Sequence, residues 1–328
     1  MVILFTLCVV QSKAQTKFGV LVNGRMSLNT KVNIARQLGV IYIRDAVTMQ
    51  AWKGFDESTD KYLAAGFKII LNINWGQVQQ PNGTRSPVPY PTDTIEYKKI
   101  LNQMLDKYQP ELVVIENEET VKKYHNGPIE DYINELAAAI NVAHGRGLKI
   151  TNGGITNREL VLLVYNDYLE KGMKKEANDF AGRCLKTSLL KGQNEEAKNI
   201  LDKAKKLIDV YKKLPLDYVN IHIYEPIKNE EGGTDESVTQ ITPNAIQEMI
   251  SYVERATGKK VISNESGERT SSPQVVTQML NEFAKAKLDY LVWFSGDGEG
   301  GSRALQNPDG SLRENGEAFR SFTKAYTK

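Results

Sequence analysis

The chain has 328 residues, of which 41% are hydrophobic and 25% are charged, with 25 glycines and 11 prolines. These proportions are typical of a globular protein and exclude a collagen, a coiled-coil rod and a largely disordered chain. The 42 basic and 40 acidic residues leave a formal net charge of +2, which gives no electrostatic footprint for nucleic acid or for an anionic membrane surface.

The N-terminal segment is typical of a targeting signal. Residues 1–10 form an apolar run that is too short for a membrane-spanning helix, which needs about 20 residues. The small residues Ser12 and Ala14 follow at the positions that a signal peptidase requires. We therefore expect a signal peptide at 1–14 and a secreted or periplasmic mature protein. The alternative is that the apolar run is a buried first strand.

Short apolar runs rich in Val, Ile and Leu recur along the rest of the chain. They lie at residues 18–22, 40–44, 68–74, 112–116, 149–153, 217–223, 260–264 and 288–294. Most are continuous apolar blocks, as expected for parallel strands that are buried on both faces. Amphipathic stretches typical of helices separate them, at residues 92–108, 129–143, 245–256 and 273–286. The order predicts repeated strand–helix units.

The junctions between these units support the pattern. Gly39, Gly66, Gly147 and Gly258 each lie just before a strand, where a helix ends in a left-handed cap. Thr92 and the Ser272-Pro273 pair lie where helices should begin. Eight strands in this order predict an α/β fold, a (β/α)₈ TIM barrel. An open doubly wound sheet is the alternative, but no G-x-G-x-x-G motif follows the first strand.

The interval between strands five and six is unusually long. Its residues are rich in Leu, Lys, Glu and Ala at helical spacing. We interpret residues 158–213, approximately, as a helical insertion after strand five. No linker or separate domain is evident, so residues 15–328 are expected to form one catalytic barrel.

Polar and aromatic residues collect where the predicted strands end. They are Arg44, Asn74, Trp75, the run Glu116-Asn117-Glu118-Glu119, His222, Tyr224, Glu265 and Trp293. In TIM barrels, the carboxyl ends of the strands and the following loops carry the chemistry. Buried polar groups at such a rim are costly for stability, which favours a functional interpretation.

Two glutamates stand out within this group. Glu118 ends strand four and Glu265 ends strand seven, and these strands face one another across the mouth of an eight-stranded barrel. Carboxylates about 5–5.5 Å apart suit retaining glycoside hydrolysis, in which one protonates the leaving oxygen and the other attacks the anomeric carbon. Glu116 and Glu118 point the same way on strand alternation, so alternation alone does not separate them.

With these motifs the chain resembles the clan A glycoside hydrolases, which are (β/α)₈ barrels. Asn117-Glu118 matches the asparagine and the acid/base glutamate at the end of strand four, and Glu265 matches the nucleophile at the end of strand seven. The resemblance implies that Arg44 hydrogen-bonds the nucleophile and keeps it ionised. It also implies that Tyr224 contacts the nucleophile.

The same resemblance implies further substrate-binding residues. His222 is expected on strand six beside the substrate, and Trp293 is expected to form the floor under a sugar ring. Independently of the resemblance, Trp75 lies just beyond strand three, after Asn74 and beside a polar loop, which makes it a candidate platform for another sugar. We therefore predict a secreted retaining glycosidase of a β-linked oligo- or polysaccharide that needs no cofactor, with its oligomeric state left open.

Two alternatives remain open at this stage. The Glu-rich end of strand four also allows a carbohydrate-binding barrel that has lost catalysis. A Mg²⁺-dependent lyase with Glu116, Glu118 and Glu265 as ligands is a second alternative. Metal-dependent hydrolysis is weakly supported, because the three histidines are isolated in sequence and form no H-E-x-x-H motif.

Overall fold

The computed structural model of the chain describes residues 15–79, 85–184, 195–227, 240–298 and 301–326. The predicted signal peptide at 1–14 lies outside the described residues and stays a prediction. Within the described part of the chain, no helix combines the length and the apolar composition needed to cross a membrane.

Eight strands form one parallel sheet, and all eight predicted strands are present. They are β1 (Lys17–Val22), β2 (Tyr42–Thr48), β3 (Lys68–Asn74), β4 (Leu112–Ile115), β5 (Ile150–Asn152), β6 (Val219–Glu225), β7 (Val261–Glu268) and β8 (Tyr290–Ser295). Their order in the sheet is β5-β4-β3-β2-β1-β8-β7-β6. A parallel bridge between Ile155 and Ile221 links the two ends of the sheet. The sheet is therefore a nearly closed barrel, and the predicted (β/α)₈ fold is confirmed.

Helices surround the barrel. They are α1 (Leu28–Leu38), α2 (Glu57–Ala64), α3 (Thr94–Tyr108), α4 (Ile129–His144), α5 (Asn157–Glu170), α6 (Lys174–Cys184), α7 (Glu195–Lys213), α8 (Ala245–Thr257), α9 (Pro273–Ala286) and α10 (Glu314–Tyr326). Helix α9 begins as predicted, with Ser272 accepting a hydrogen bond from the Val275 amide. Helix α3 is capped by Asp93 instead of Thr92, because the Asp93 carboxylate accepts from two amides of the first turn.

The described part of the segment between β5 and β6, which leaves out residues 185–194, carries helices α5, α6 and α7. Helices α5 and α7 pack against each other and against α8, so they continue the outer layer of the barrel. The start of α5 lies close to the barrel mouth, where Asn157 hydrogen-bonds the backbone of Tyr224. The interpretation of this segment as an insertion stays a prediction.

The barrel interior is filled by one apolar cluster, which is separate from the larger core between the strands and the helices. Its buried members are Tyr42, Ile70, Leu112, Val114, Tyr218, Ile262, Tyr290 and Val292. Side chains alternate between the two faces of a strand, so the residue two positions after each member faces inward again, nearer the carboxyl end. The interior cluster therefore lies directly beneath the inward-facing side chains of the barrel mouth and supports them.

Candidate active site

Above the interior cluster, the inward-facing positions change from apolar to polar. Arg44, Asn72, Asn220 and Asn264 each lie two residues after a member of the cluster, and each is buried. Asn220 and Asn264 bond each other twice, through Asn220 Nδ2 to Asn264 Oδ1 (2.7 Å) and through the Asn264 amide to Asn220 Oδ1 (2.8 Å). Buried amides of this kind form a rigid base for the groups above them.

A bulge in β7 directs Glu265 into the barrel mouth. Between Asn220 and His222 on β6 the partner strand advances from Ile262 to Glu265, so three steps of β7 match two of β6. An extra residue of this kind re-aims the side chains beside it. As a result, two successive residues of β7 both contact side chains of β6. Asn264 hydrogen-bonds His222, and Glu265 hydrogen-bonds Tyr224.

Glu265 lies among groups that favour its ionised form. Arg44 forms an ion pair with it, and the Tyr224 hydroxyl donates to Oε1 at 2.6 Å. Burial by itself raises the pKa of Glu265, but the charges of Arg44 and His222 and the Tyr224 hydrogen bond outweigh burial and hold this pKa below its ordinary value. Glu265 is therefore an anion over the whole neutral range.

Arg44 is held by more than this ion pair. Its Nη2 donates to Asn72 Oδ1 at 3.0 Å and to Asn117 Oδ1 at 2.5 Å, and Asn72 in turn donates to Asn74 Oδ1 at 3.1 Å. Arg44 is only 5% exposed. The predicted residues Asn74 and Asn117 thus act on the guanidinium that pairs with Glu265, directly in the case of Asn117 and through Asn72 in the case of Asn74.

Glu118 has a different partner. Its Oε1 lies 3.0 Å from His222 Nδ1, and His222 Nε2 lies 2.7 Å from Asn264 Oδ1. Asn264 Oδ1 is an acceptor here, because Asn220 Nδ2 donates to it as well, so Nε2 carries a hydrogen. The short contact between Nδ1 and Oε1 therefore requires one proton, which belongs either to the imidazole or to the carboxyl group.

The pKa of His222 agrees with this arrangement. Burial lowers the pKa of the imidazole, but the carboxylates of Glu265 and Glu118 outweigh burial, and the pKa of His222 is raised. The two glutamates thus have different partners. Glu265 is paired with the permanent cation Arg44, whereas Glu118 shares one proton with the imidazole of His222.

The two carboxyl groups are close together. One oxygen of Glu118, one oxygen of Glu265 and one ring nitrogen of His222 all lie within 4.8 Å of one another. They line an open cavity of about 540 Å³ at the barrel mouth, which is large enough for a small ligand. The geometry brings the predicted pair together across one pocket.

Glu116 does not share this pocket. Backbone φ is +64° at Glu116 and +47° at Glu118, so the chain leaves strand geometry after Ile115 and alternation no longer applies. The Glu116 side chain is buried and accepts from the Trp75 amide at 2.6 Å, and burial raises its pKa to about 7. The predicted ligand set of Glu116, Glu118 and Glu265 for Mg²⁺ is therefore contradicted.

Glu118, His222 and Glu265 offer three ligand atoms that are close enough together to hold a cation. However, Glu265 is already paired with the fixed charge of Arg44, which opposes a second cation. Arg44 balances the charge of Glu265, and the contact between His222 and Glu118 allows transfer of a proton between these two side chains.

The structure contradicts the prediction that Trp293 lies under a sugar ring. Trp293 is fully buried, and its ring packs against Phe319 of α10 with the ring centroids 5.8 Å apart. Val292 belongs to the barrel interior, so by alternation Trp293 faces the helices and Phe294 faces the mouth. The alternation of side chains along β8 was the sequence evidence that could have predicted Phe294 at the mouth.

Trp75 lies outside the cavity lining. Its partly buried ring packs against Tyr97 of α3, 6.1 Å between centroids, while its backbone amide bonds Glu116. Its function as a sugar platform stays a prediction.

Several residues that line the cavity were missed by the sequence analysis. They are Asn23, Val121, Lys123, Tyr124, Thr156, Asn157, Arg269, Phe294 and Arg303. Most lie on loops or helix starts, where no periodicity identifies the direction of a side chain. Tyr124 offers an aromatic ring close enough to both glutamates for their charges to raise its pKa further, beyond the effect of burial.

Comparison with known proteins identifies the fold. No protein-family model matches the chain, and no match is found among curated proteins. A family 128 (subgroup I) endo-β-1,3-glucanase from Amycolatopsis mediterranei, in complex with laminarihexaose, is 13% identical, with a TM-score of 0.51 over 93% of this chain and 99% of that chain. A family 30 endoxylanase from Clostridium papyrosolvens is 12% identical, with a TM-score of 0.53 over 95% and 72%.

A family 128 (subgroup VII) oligosaccharide-binding protein from Trichoderma gamsii is also similar. It is 13% identical, with a TM-score of 0.52 over 95% of both chains. The predicted structural resemblance is thus confirmed: the chain shares the barrel fold of glycoside hydrolases from several families.

Proposed function

We propose that this protein is a retaining glycoside hydrolase that acts on a β-linked oligo- or polysaccharide. The observation that carries the proposal is that two carboxyl groups with different partners, Arg44 for Glu265 and His222 for Glu118, line one cavity within 4.8 Å of each other. Retaining enzymes place their carboxyl groups about 5–5.5 Å apart, whereas inverting enzymes need room for a water molecule between them.

In the first step, the ionised Glu265 attacks the anomeric carbon. The glycosidic C–O bond breaks as Glu118 gives its proton to the leaving oxygen, and a covalent sugar ester forms on Glu265. His222 supports this step, because its Nδ1 accepts a hydrogen bond from the Glu118 carboxyl group while the proton is on Glu118. Glu118 is then an anion beside the imidazole.

In the second step, water attacks the same carbon from the side of Glu118. Glu118 takes one proton of the water, the ester bond to Glu265 breaks, and both carboxyl groups return to their starting protonation states. Arg44 and Tyr224 stabilise Glu265 as the leaving carboxylate, since both contact its oxygens.

A mechanism-based label tests this proposal. A panel of 2-deoxy-2-fluoro β-glycosides with a good leaving group should form a stable ester that peptide mass mapping locates on Glu265. E265Q should abolish hydrolysis of an aryl β-glycoside panel and retain saccharide binding, whereas E130Q, at an exposed glutamate of α4 that pairs with Lys206, should behave as the wild type. Labelling of another residue, or turnover by E265Q, would refute the nucleophile assignment.

A carbohydrate-binding protein is the second candidate, because a barrel of the same fold is described as an oligosaccharide-binding protein. Absence of any label and of any aryl glycoside hydrolysis, together with retained saccharide binding by the wild type, would favour it. EDTA should leave hydrolysis unchanged, and loss of activity that Mg²⁺ restores would support a metal-dependent reaction instead.

We also propose that the protein is exported, on the basis of the apolar run and the Ser12-x-Ala14 pattern. Sequencing of the protein from the secreted or periplasmic fraction of its host should give Gln15 as the first residue. An intact Met1 in the mature protein would contradict this expectation.

A further inference from the structure

The cavity has a cationic side that the proposed mechanism does not use. Arg269 follows β7 and Arg303 follows β8, and both line the same cavity as Glu118 and Glu265. Their guanidinium carbons lie 5.1 and 5.3 Å from the centre of the Tyr224 ring. Two arginines from different loops therefore converge on one aromatic ring at the barrel mouth.

Arg303 is the more informative of the two. It is half-buried, and within the described parts of the chain no carboxylate lies within ion-pair distance of it. Its position over the Tyr224 ring leaves the N–H groups of the guanidinium able to donate to another acceptor. A partly desolvated cation that keeps its donors is arranged to bind an anion.

The proposed catalytic carboxylates do not account for the charge of Arg303. Glu265 is already paired with Arg44, and Glu118 is already in contact with His222. Lys123 adds a third cationic side chain, exposed at the edge of the cavity. Among the described residues that line the cavity, cationic side chains thus outnumber acidic ones, and Arg303 lies beside Tyr224.

The position of the ring relates this charge to the substrate. The Tyr224 hydroxyl is 2.6 Å from Glu265 Oε1, so its ring lies directly beside the proposed nucleophile. A group held at Arg303 is therefore carried by the sugar that reacts with Glu265 or by the adjacent sugar. Arginine prefers oxyanions with two oxygens to offer, which it can bind in bidentate geometry.

We propose that the substrate of this protein is an acidic saccharide, whose carboxylate or sulfate ester is bound by Arg303 with Arg269 beside it. This inference rests on the proposed glycosidase function, because it uses the nucleophile to place the sugar. A uronate and a sulfated sugar share the oxyanion that Arg303 recognises, and the experiment below separates them.

Binding is measured by calorimetry with the E265Q protein, which should hold substrate without turnover. The probes are a β-linked oligoglucuronate, a sulfated β-linked oligosaccharide and the neutral oligosaccharide of the same length. At least one acidic probe should bind about ten-fold or more tightly than the neutral one, and added salt should reduce the difference. Preference for one acidic probe identifies the anion as a carboxylate or as a sulfate.

Introducing R303Q into the same E265Q background should remove the preference for the acidic probe while leaving the neutral probe unaffected. R320Q serves as the matched control, because Arg320 lies exposed on α10. Equal affinity for acidic and neutral probes, or an acidic preference that survives R303Q, would overturn the inference. In either case, the covalent label on Glu265 still tests the glycosidase function separately, since neutral fluoroglycosides are included in that panel.

Discussion

Replacement of Arg44 with methionine tests the charge balance at the site most directly. Methionine fills a comparable volume but removes the ion pair with Glu265 and the donors to Asn72 and Asn117. Removing one partner of a buried ion pair costs about 3–5 kcal/mol, because the other charge stays buried without compensation. At about 2 °C per kcal/mol for a large domain, R44M should lower the Tm by about 6–10 °C.

The pH dependence of this loss has a defined sign. In the wild type the pKa of Glu265 is lowered, so the ion pair stabilises the fold above the unfolded-state pKa and is lost as the pH falls through the folded-state pKa. The stability difference between wild type and R44M should therefore be largest near neutral pH and shrink toward acidic pH. Without Arg44, burial should raise the pKa of Glu265, and the acid limb of the kcat/KM profile should move to higher pH.

Differential scanning calorimetry and the pH–rate profile measure these two effects. R44K retains a charge but lacks the planar fork that reaches several acceptors, so it should recover part of the stability and little of the rate. R146M is the matched control, because Arg146 pairs with the exposed Asp106 and its loss should cost under about 1 kcal/mol. Equal losses for R44M and R146M, with an unmoved acid limb, would refute this reasoning.

Three further outcomes are expected. Y224F removes the 2.6 Å hydrogen bond to Glu265 and should lower kcat by about 10–100-fold with little change in KM for a neutral aryl glycoside; steady-state kinetics measure both. W293F should leave saccharide affinity unchanged. W293A should lower the unfolding free energy by about 3–5 kcal/mol in urea titrations. Weaker saccharide binding by W293F would show that this ring contacts the ligand after all. Burial raises the pKa of Glu159 from 4.5 to about 7, so its neutral form stabilises the fold at low pH and this contribution is lost as the pH rises to about 7; E159Q should flatten that part of the Tm–pH curve, and an unchanged curve would contradict the assignment.

The strands and their order could be predicted from the sequence because parallel strands buried on both faces leave continuous apolar blocks. Alternation along these strands places Arg44, His222 and Tyr224 on the inward face, since each lies an even number of residues after an interior residue of its own strand. Trp293 lies an odd number of residues after Tyr290 and was assigned to the cavity from its place on strand eight and from the resemblance. Alternation along β8 would have excluded it.

Other features of the site could not be predicted from periodicity. The positive φ values at Glu116 and Glu118 turn one side chain into the core and the other into the cavity, and no spacing rule encodes that choice. The bulge in β7 likewise changes the direction of Glu265 relative to a regular strand. Arg269 and Arg303 lie on the loops that follow the neighbouring strands β7 and β8, where no periodicity gives the direction of a side chain.

The left-handed backbone at Glu118 has a consequence for the history of such a site. A non-glycine residue in this conformation costs roughly 1–2 kcal/mol, which glycine avoids. A mutation of Glu118 to glycine would therefore relieve the main chain at the same position where it removes the proposed acid. Selection for turnover has to oppose that gain continuously, and a lineage released from such selection should lose Glu118 early while keeping a folded barrel and its affinity for sugars.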